Sequence, residues 1–501
     1  MRPELLRALG FTVKEALFST LIALGAGFPA AFFVARRRFP GRGALSALSA
    51  VPLAYPSLLL AIGFVSVFGA KGTLGALLPG RPLPYSFYGI ILAQGFYNFP
   101  LVMRTCADAW EHLDPAPPRA AAILGASPWR TFRTVTLPAL VPAIAASGSL
   151  VFLFCFFSFI IVLLFGALGT ATLEVEIYHA ARSSLNPARA APLAAVETAC
   201  AMAVMVLIGT TQKISARTYG NSFAQDSPAQ KLHGLPEKAG FAALMVPVTL
   251  FLLAPIGAVV LRGIRPSSFM PLGRNPGFYR ALGTTLRASG LSAFLALAGA
   301  FAYCAVFLRP GERPPNTAIR TLPLLPLAVS PVVVGYGAML LSRRGSEGLY
   351  IVLRAALLWP LAYKQIATAF KAVPPEVIRA ARLLSPRGLD GVFRVLLPQS
   401  WRGVCTGFAF CFAAAAADAG LPLMLAIPRF DTLALYTYRL AGSYRMNQAS
   451  AAGLALILAA GAVFVLADLA SRPPAAKQRG FQRVPNGKRR MFQRVPREGR
   501  P

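Results

Sequence analysis

Residues 119–138 read RAAAILGASPWRTFRTVTLP, and residues 379–398 read RAARLLSPRGLDGVFRVLLP. At a constant offset of 260 they share Arg, Ala, Ala, Leu, Val, Leu and Pro, seven of twenty positions. The same offset pairs Pro100 with Pro360 and Leu101 with Leu361. Nearby offsets align STL (19–21) with TTL (284–286), and PLAYPSLLLAIGF (52–64) with PLAVSPVVVGYGA (326–338). An internal repeat fixes architecture early, because each copy is one structural unit. The chain therefore divides into a first copy at 1–215, a linker at 216–238, a second copy at 239–471 and a basic tail at 472–501.

The sequence around the two stretches is apolar. Of 501 residues 56% are hydrophobic and 14% charged, whereas soluble domains carry roughly 25% charged residues. A helix needs about 20 apolar residues to cross ~30 Å of hydrocarbon, and such runs recur. They predict an all-α, polytopic transmembrane bundle of eleven spans. In the first copy these are 14–35, 44–69, 87–110, 138–166 and 189–211. In the second they are 239–261, 281–308, 320–341, 349–370, 400–427 and 449–469. Six spans separate the two related stretches, and six is even. Both then face the same side, and the copies are parallel rather than inverted.

The formal net charge is +32. More than half of the Lys and Arg lie in loops on one side of the predicted bundle and in the tail. That placement suits a cytoplasmic face against anionic membrane lipid, and it argues against a nucleic-acid partner. The six cysteines are scattered without C-x-x-C spacing and the three histidines are isolated, so no metal site is expected. The start, MRPELLRALGF, has no compact apolar core with a small-residue cleavage site, so no signal peptide is expected. The tail repeats FQRVP within a Pro-rich basic run and reads as a disordered extension.

The first loop has legible local structure. Ser127 is placed to cap a short helix with Pro128 at its first position, and Gly125 separates it from the helical run at 119–124. The pattern resembles the EAA loop of ABC importer permeases, E-A-A-x3-G-x9-I-x-L-P. The first copy matches at Ala120, Ala121, Gly125, Val135 (for Ile), Leu137 and Pro138. The second matches at Ala380, Ala381, Val395 (for Ile), Leu397 and Pro398. Both depart at the Glu, which is Arg119 and Arg379, and the second has Ser385 in place of Gly. The fused two-copy form is similar to permeases for ferric iron and for thiamine. RRRFPGR (36–42), GIILAQGFYNFPLVMR (89–104), ATLEVEIYHAAR (171–182), ADAG (417–420) and GSYR (442–445) look most like the thiamine transporter permeases.

The resemblance implies two parallel repeats of a type I ABC importer transmembrane domain, with twelve spans in the usual family form. It implies residence in the bacterial inner membrane. It also implies two copies of an ATPase subunit docked at the two loops, and an extracytoplasmic solute-binding protein on the opposite face. No G-x-x-x-x-G-K-[ST] phosphate loop occurs in the chain. ATP and its Mg are therefore expected on the partner ATPase, with no cofactor and no catalytic residue on this chain. Thiamine is the favoured cargo, with ferric iron and polyamine as alternatives. A secondary transporter driven by an ion gradient is the rival of another class. It predicts charged relays within the spans.

Ionisable groups inside spans are costly and default to functional candidates. Glu197 and Asp418 are such groups, and Glu174 and Glu176 are expected in the outer loop before the fifth span. Tyr55, Tyr97 and Tyr336 are the aromatic candidates for contact with a cationic solute.

Overall fold

In hydrocarbon the backbone has no partner but itself, so long apolar runs fold as helices. The computed structural model describes residues 3–43, 45, 55–70, 72–75, 83–166, 171–219, 230–232, 234–308, 316–342, 345–384 and 391–471. The tail at 472–501 and Ser385 lie outside the described residues, as does part of the expected span at 44–69.

The first copy runs α1 (Pro3–Arg36), β1 (Arg37–Arg38), α2 (Ser57–Phe68), α3 (Phe87–Glu111), α4 (Ala116–Ile123) and α5 (Pro128–Thr131). A π-helical turn, Phe132–Thr136, leads into α6 (Leu137–Phe156), α7 (Ile160–Phe165), α8 (Leu173–Tyr178) and α9 (Pro187–Tyr219). Between the copies stands β2 (Gln230–Lys231). The second copy runs α10 (Gly234–Gly263), α11 (Pro266–Gly273), α12 (Pro276–Phe307), α13 (Thr317–Thr321), a 3-10 turn (Leu322–Ala328), α14 (Pro331–Leu341), α15 (Glu347–Lys371) and α16 (Pro375–Leu384). A π-helical turn, Gly391–Leu396, then leads into α17 (Leu397–Ala416), α18 (Gly420–Leu425), α19 (Leu433–Gly442) and α20 (Met446–Ser471).

Six helices are long and apolar enough to cross a bilayer, and the pair Ala318–Ala328 with Pro331–Leu341, bent by 84°, makes up to seven. α3 and α15 have 25 residues each, more than the ~20 that a crossing requires. A helix stands within each of the eleven expected spans, but three of them are not continuous rods. The expected spans 138–166 and 400–427 are interrupted between α6 and α7 and between α17 and α18. The expected span 320–341 bends ahead of α14, where Pro323, Pro326 and Pro331 remove backbone donors and Ser330 Oγ accepts from Val333 N at 3.1 Å.

The copies recur in space as they do in sequence. At an offset of 260, Ser86 and Ser346 cap α3 and α15, accepting from Gly89 N at 3.1 Å and Leu349 N at 3.2 Å. Each of those helices carries its Pro at the same place, Pro100 and Pro360. α1 and α12 correspond at an offset of 273, not the 265 implied by aligning STL with TTL, because Thr12 rather than Thr20 makes the bonds that Thr285 makes. Thr12 Oγ1 donates to Ala8 O at 2.7 Å and accepts from Leu173 N at 2.9 Å. Thr285 Oγ1 donates to Ala281 O at 2.8 Å and accepts from Leu433 N at 2.6 Å. In both bundles the corresponding helix, α1 or α12, thus satisfies an orphan N–H at the start of a later one.

Each copy builds a core from its own long helices. α1 lies along α3 with α6 beside both, and α12 lies along α15 with α17 beside both. Close approach of α1 to α3 depends on small residues: a Cβ at Gly27 would stand 2.7 Å from Phe99 O. Among the described residues α10 has no counterpart in the first copy. It packs against α2 of the first copy and α20 of the second, tying the bundles together. A Cβ at Gly63 on α2 would stand 2.3 Å from Pro255 O on α10. Phe251 of α10 also stacks on Phe96 of α3 at 4.0 Å between ring centroids.

Candidate coupling loops and the carboxylates between the bundles

The first loop is a capped helical hairpin. α4 ends in a Schellman motif: Gly125 has φ +81, Ala126 N donates to Ala121 O at 3.0 Å and Gly125 N donates to Ala122 O at 3.1 Å. A left-handed residue at that position is what glycine supplies without a Cβ penalty. Ser127 Oγ accepts from Arg130 N at 3.3 Å and opens α5, with Pro128 in its first turn. The loop presents Arg119, Ala120, Arg130 and Arg133 to solvent. Beside them stand Ile123 and Leu124, each 86% exposed, and Trp129, 70% exposed. Apolar side chains so exposed on a polar helical hairpin mark a surface that contacts protein or membrane. Ala121, Val135 and Leu137 are half-buried and Pro138 opens α6 from an exposed position.

The second loop begins with α16, which carries Arg379 and Ala380 exposed and Ala381 in its helix, with Leu383 88% exposed. Val395 and Leu397 are half-buried and Pro398 is exposed, repeating the first loop. The two π-helical turns, Phe132–Thr136 and Gly391–Leu396, occupy equivalent positions and deliver both loops to α6 and α17. Near the first loop, Arg42 meets Glu111 at 2.8 Å and donates from Nε to Val34 O at 2.8 Å. β1 pairs in parallel with β2, and Arg37 binds Glu237, so the RRRFPGR stretch is tied to the segment leading into α10.

The other cluster lies where the bundles meet. α8 packs on α9 of its own copy and on α14 of the other. Glu174 on α8 and Glu197 on α9 are 1% and 0% exposed, and lie against each other and against Ser330 at the start of α14. Glu174 Oε1 and both carboxylate oxygens of Glu197 have no hydrogen-bond partner. Glu174 also feels the charge of Asp418. Asp418 sits in the break between α17 and α18, accepts from Gly420 N at 3.0 Å and pairs with Arg354 of α15 at 3.3 Å. Buried carboxylates without donors are expensive, so the pair is a costly feature of the place where the bundles meet.

Three of the seven candidates for the solute pathway thus come together: Glu174, Glu197 and Asp418. Glu174 is not in an outer loop, as expected, but in a buried helix, because the apolar neighbours Leu173, Val175 and Ile177 fold the segment inward. Glu176 faces away and pairs with Arg189 at 3.2 Å, and Arg189 also meets Glu4 at 3.3 Å. The tyrosines do not form a cage. Tyr97 donates to Tyr55 O at 2.7 Å within the first copy, while Tyr336 reaches across the bundles to Pro187 O at 2.8 Å. Two buried ionisable groups escaped the sequence reading, Glu15 on α1, 0% exposed, and Arg354 on α15. The signal for both was a charge inside an apolar run; Lys14 beside Glu15 gives that stretch the look of an interfacial anchor.

A duplicated membrane bundle with paired, solvent-exposed helical loops and buried polar groups between its halves defines a multi-pass permease. Residues 27–219 match the family model for the binding-protein-dependent transport system inner membrane component. The chain is 30% identical over 479 residues to the thiamine transport system permease protein ThiP of Salmonella typhimurium, covering 91% of this chain and 88% of that one. It is 29% identical over 496 residues to ThiP of Brucella abortus, covering 95% and 89%. The molybdenum transport system permease protein ModB of Azotobacter vinelandii aligns over 179 residues at 32% identity, covering 34% of this chain and 79% of its own. The chain belongs to the family of binding-protein-dependent transport system inner membrane components, in the fused two-copy form of an ABC permease, and is a multi-pass protein of the bacterial inner membrane.

Proposed function

We propose that this chain is the membrane-spanning permease of an ABC importer that carries thiamine inward. The observation that carries this reading is similarity along nine-tenths of the chain to permeases of thiamine transport systems. In this reading the chain is a non-catalytic transport subunit made of the two repeats, 1–215 and 239–471, joined through 216–238. It binds no cofactor of its own; ATP and Mg are held by a partner ATPase. One ATPase subunit docks at each loop, through Ile123, Leu124 and Trp129 in the first copy and through α16 in the second. A solute-binding protein delivers thiamine to the opposite face. Closure of the ATPase pair draws the loops together, tilts the bundles and opens the path outward; hydrolysis resets it. Between the bundles Glu174, Glu197 and Asp418 meet the cationic ring of the solute, which provides the countercharge that the two glutamates lack.

The test is radiolabelled thiamine uptake by cells that lack their own thiamine importer, supplied with the partner subunits and with or without this chain. Uptake that depends on the chain and on ATP is expected. Glu197→Gln keeps the shape and removes the charge. It is expected to lower uptake by about tenfold, the scale of one lost charged interaction, with the ATPase subunit still co-purifying. Absence of thiamine uptake rejects the cargo, and wild-type uptake by the Gln variant rejects the role of the carboxylate.

A further inference from the structure

We infer that the two loops are unequal transmitters, and that Trp110 and Phe132 position the first loop through an aromatic strut that the second loop lacks among the described residues. This inference rests on the docking of ATPase subunits at the loops proposed above. In the first copy an unbroken series of rings leaves the exposed Trp129. Trp129 stacks on Phe132 at 5.7 Å, Phe132 on Trp110 at 6.2 Å and 17°, and Trp110 on Phe28 at 5.4 Å and 24°. Trp110 also meets Phe32 at 5.5 Å. The series continues through Phe33 to Phe241 of α10 at 5.2 Å, and so reaches the helix that ties the two bundles together.

The second copy replaces these positions one by one. At an offset of 260, Trp110 becomes Phe370 and Phe132 becomes Val392. At the offset of 273 set by the Thr12 and Thr285 bonds, Phe32 becomes Ala305 and Phe33 becomes Val306. One ring contact of the strut survives, Phe301 against Phe370, and it is edge-on at 89° rather than stacked. Aromatic side chains are rigid plates with few torsions, so stacked rings pass on a displacement that branched aliphatic side chains absorb by changing rotamer. Closure of the partner on the first loop is thereby carried directly into α1 by stacked rings, and from α1 edge-on contacts at 72° lead to α10. Closure on the second loop reaches α12 through softer contacts.

The experiment uses the assembled transporter. The double variant Trp110→Phe with Phe132→Val gives the first loop the residues of the second. Its uptake is expected to fall about tenfold, with basal ATP hydrolysis and co-purification of the ATPase subunit retained. Phe132→Tyr is expected to transport as wild type. Phe132→Leu, which fills similar space without a ring, is expected to behave like the valine variant. In the second loop Phe370→Leu is expected to lower uptake by no more than about threefold. Normal uptake by the double variant or by Phe132→Leu overturns the strut, as does an equal loss from Phe370→Leu. Loss of co-purification from Phe132→Val also overturns it, since Phe132 would then belong to the docking surface. The docking reading is scored separately: Leu124→Asp is expected to release the ATPase subunit, and if it does not, docking fails independently of the strut.

Discussion

In the first bundle Gln94 on α3 reaches the break between α6 and α7 and donates from Nε2 to Ser158 Oγ. One repeat later, at an offset of 260, Arg354 on α15 reaches the break between α17 and α18 and pairs with Asp418. The geometry is the same and the chemistry is not. Arg354 also donates to Ala414 O, while Asp418 caps α18 with its other oxygen. A neutral amide–hydroxyl bond holds one break and an ion pair holds the other. Duplication preserved the backbone problem, an interrupted helix with unsatisfied ends, and left its solution free to diverge. The charged solution lies in the bundle whose break faces Glu174.

The largest expected effect tests that difference. Arg354→Ala leaves Asp418 buried without a countercharge and is expected to destabilise the protein by about 3–5 kcal/mol. Gln94→Ala removes one neutral bond and is expected to cost about 1–3 kcal/mol. The double variant Arg354→Gln with Asp418→Ser copies the first bundle into the second and is expected to recover most of the loss. Thermal unfolding in detergent, followed by size-exclusion chromatography, measures all three. Equal losses from Arg354→Ala and Gln94→Ala would mean that the charge at the second break makes no difference.

A second comparison concerns α2 and α14, whose glycines Gly63 and Gly337 align in the sequence repeat. A Cβ at Gly63 would stand 2.3 Å from Pro255 O on α10, whereas one at Gly337 meets nothing within 4 Å. Gly63→Ala must push two backbones apart and is expected to cost about 1–3 kcal/mol. Gly337→Ala is expected to be neutral or to stabilise by up to ~1 kcal/mol through helix propensity. The same detergent unfolding assay reads the pair. A harmless Gly63→Ala would show that α10 does not sit tightly on the first bundle.

How much of this was visible beforehand depends on the kind of signal. Helices and repeat were legible because apolar runs and a fixed offset are properties of the chain itself. The Ser127 cap and the Gly125 turn were legible because capping is local, within four residues. The breaks at 157–159 and 417–419 were not, because one Ser or one Asp in an apolar run does not by itself mark an interruption; the side chains that meet them, Gln94 and Arg354, lie more than 60 residues away. Glu174 was misplaced in a loop because its burial depends on α14, more than 150 residues away in sequence. That the aromatic candidates do not gather was hidden for a related reason. Tyr55, Tyr97 and Tyr336 are rich in chemistry, but composition does not reveal that two of their hydroxyls are spent on backbone carbonyls.

The smallest difference between the copies is expected at Thr12 and Thr285, where they agree. Each hydroxyl closes its own turn and accepts the first N–H of a helix 148 or 161 residues away. Valine has the same shape without the oxygen, so either substitution leaves one buried N–H without a partner. A loss of about 1–2 kcal/mol is expected from Thr12→Val and the same from Thr285→Val, with the two values agreeing within ~0.5 kcal/mol. Because the sites lie in separate bundles, the double variant is expected to show the sum. Unequal losses would mean that the bundles differ in how tightly α8 and α19 are held. α8 carries Glu174 into the space between the bundles and α19 has Ala434 at the matching position, so any inequality would bear on how firmly Glu174 is held there.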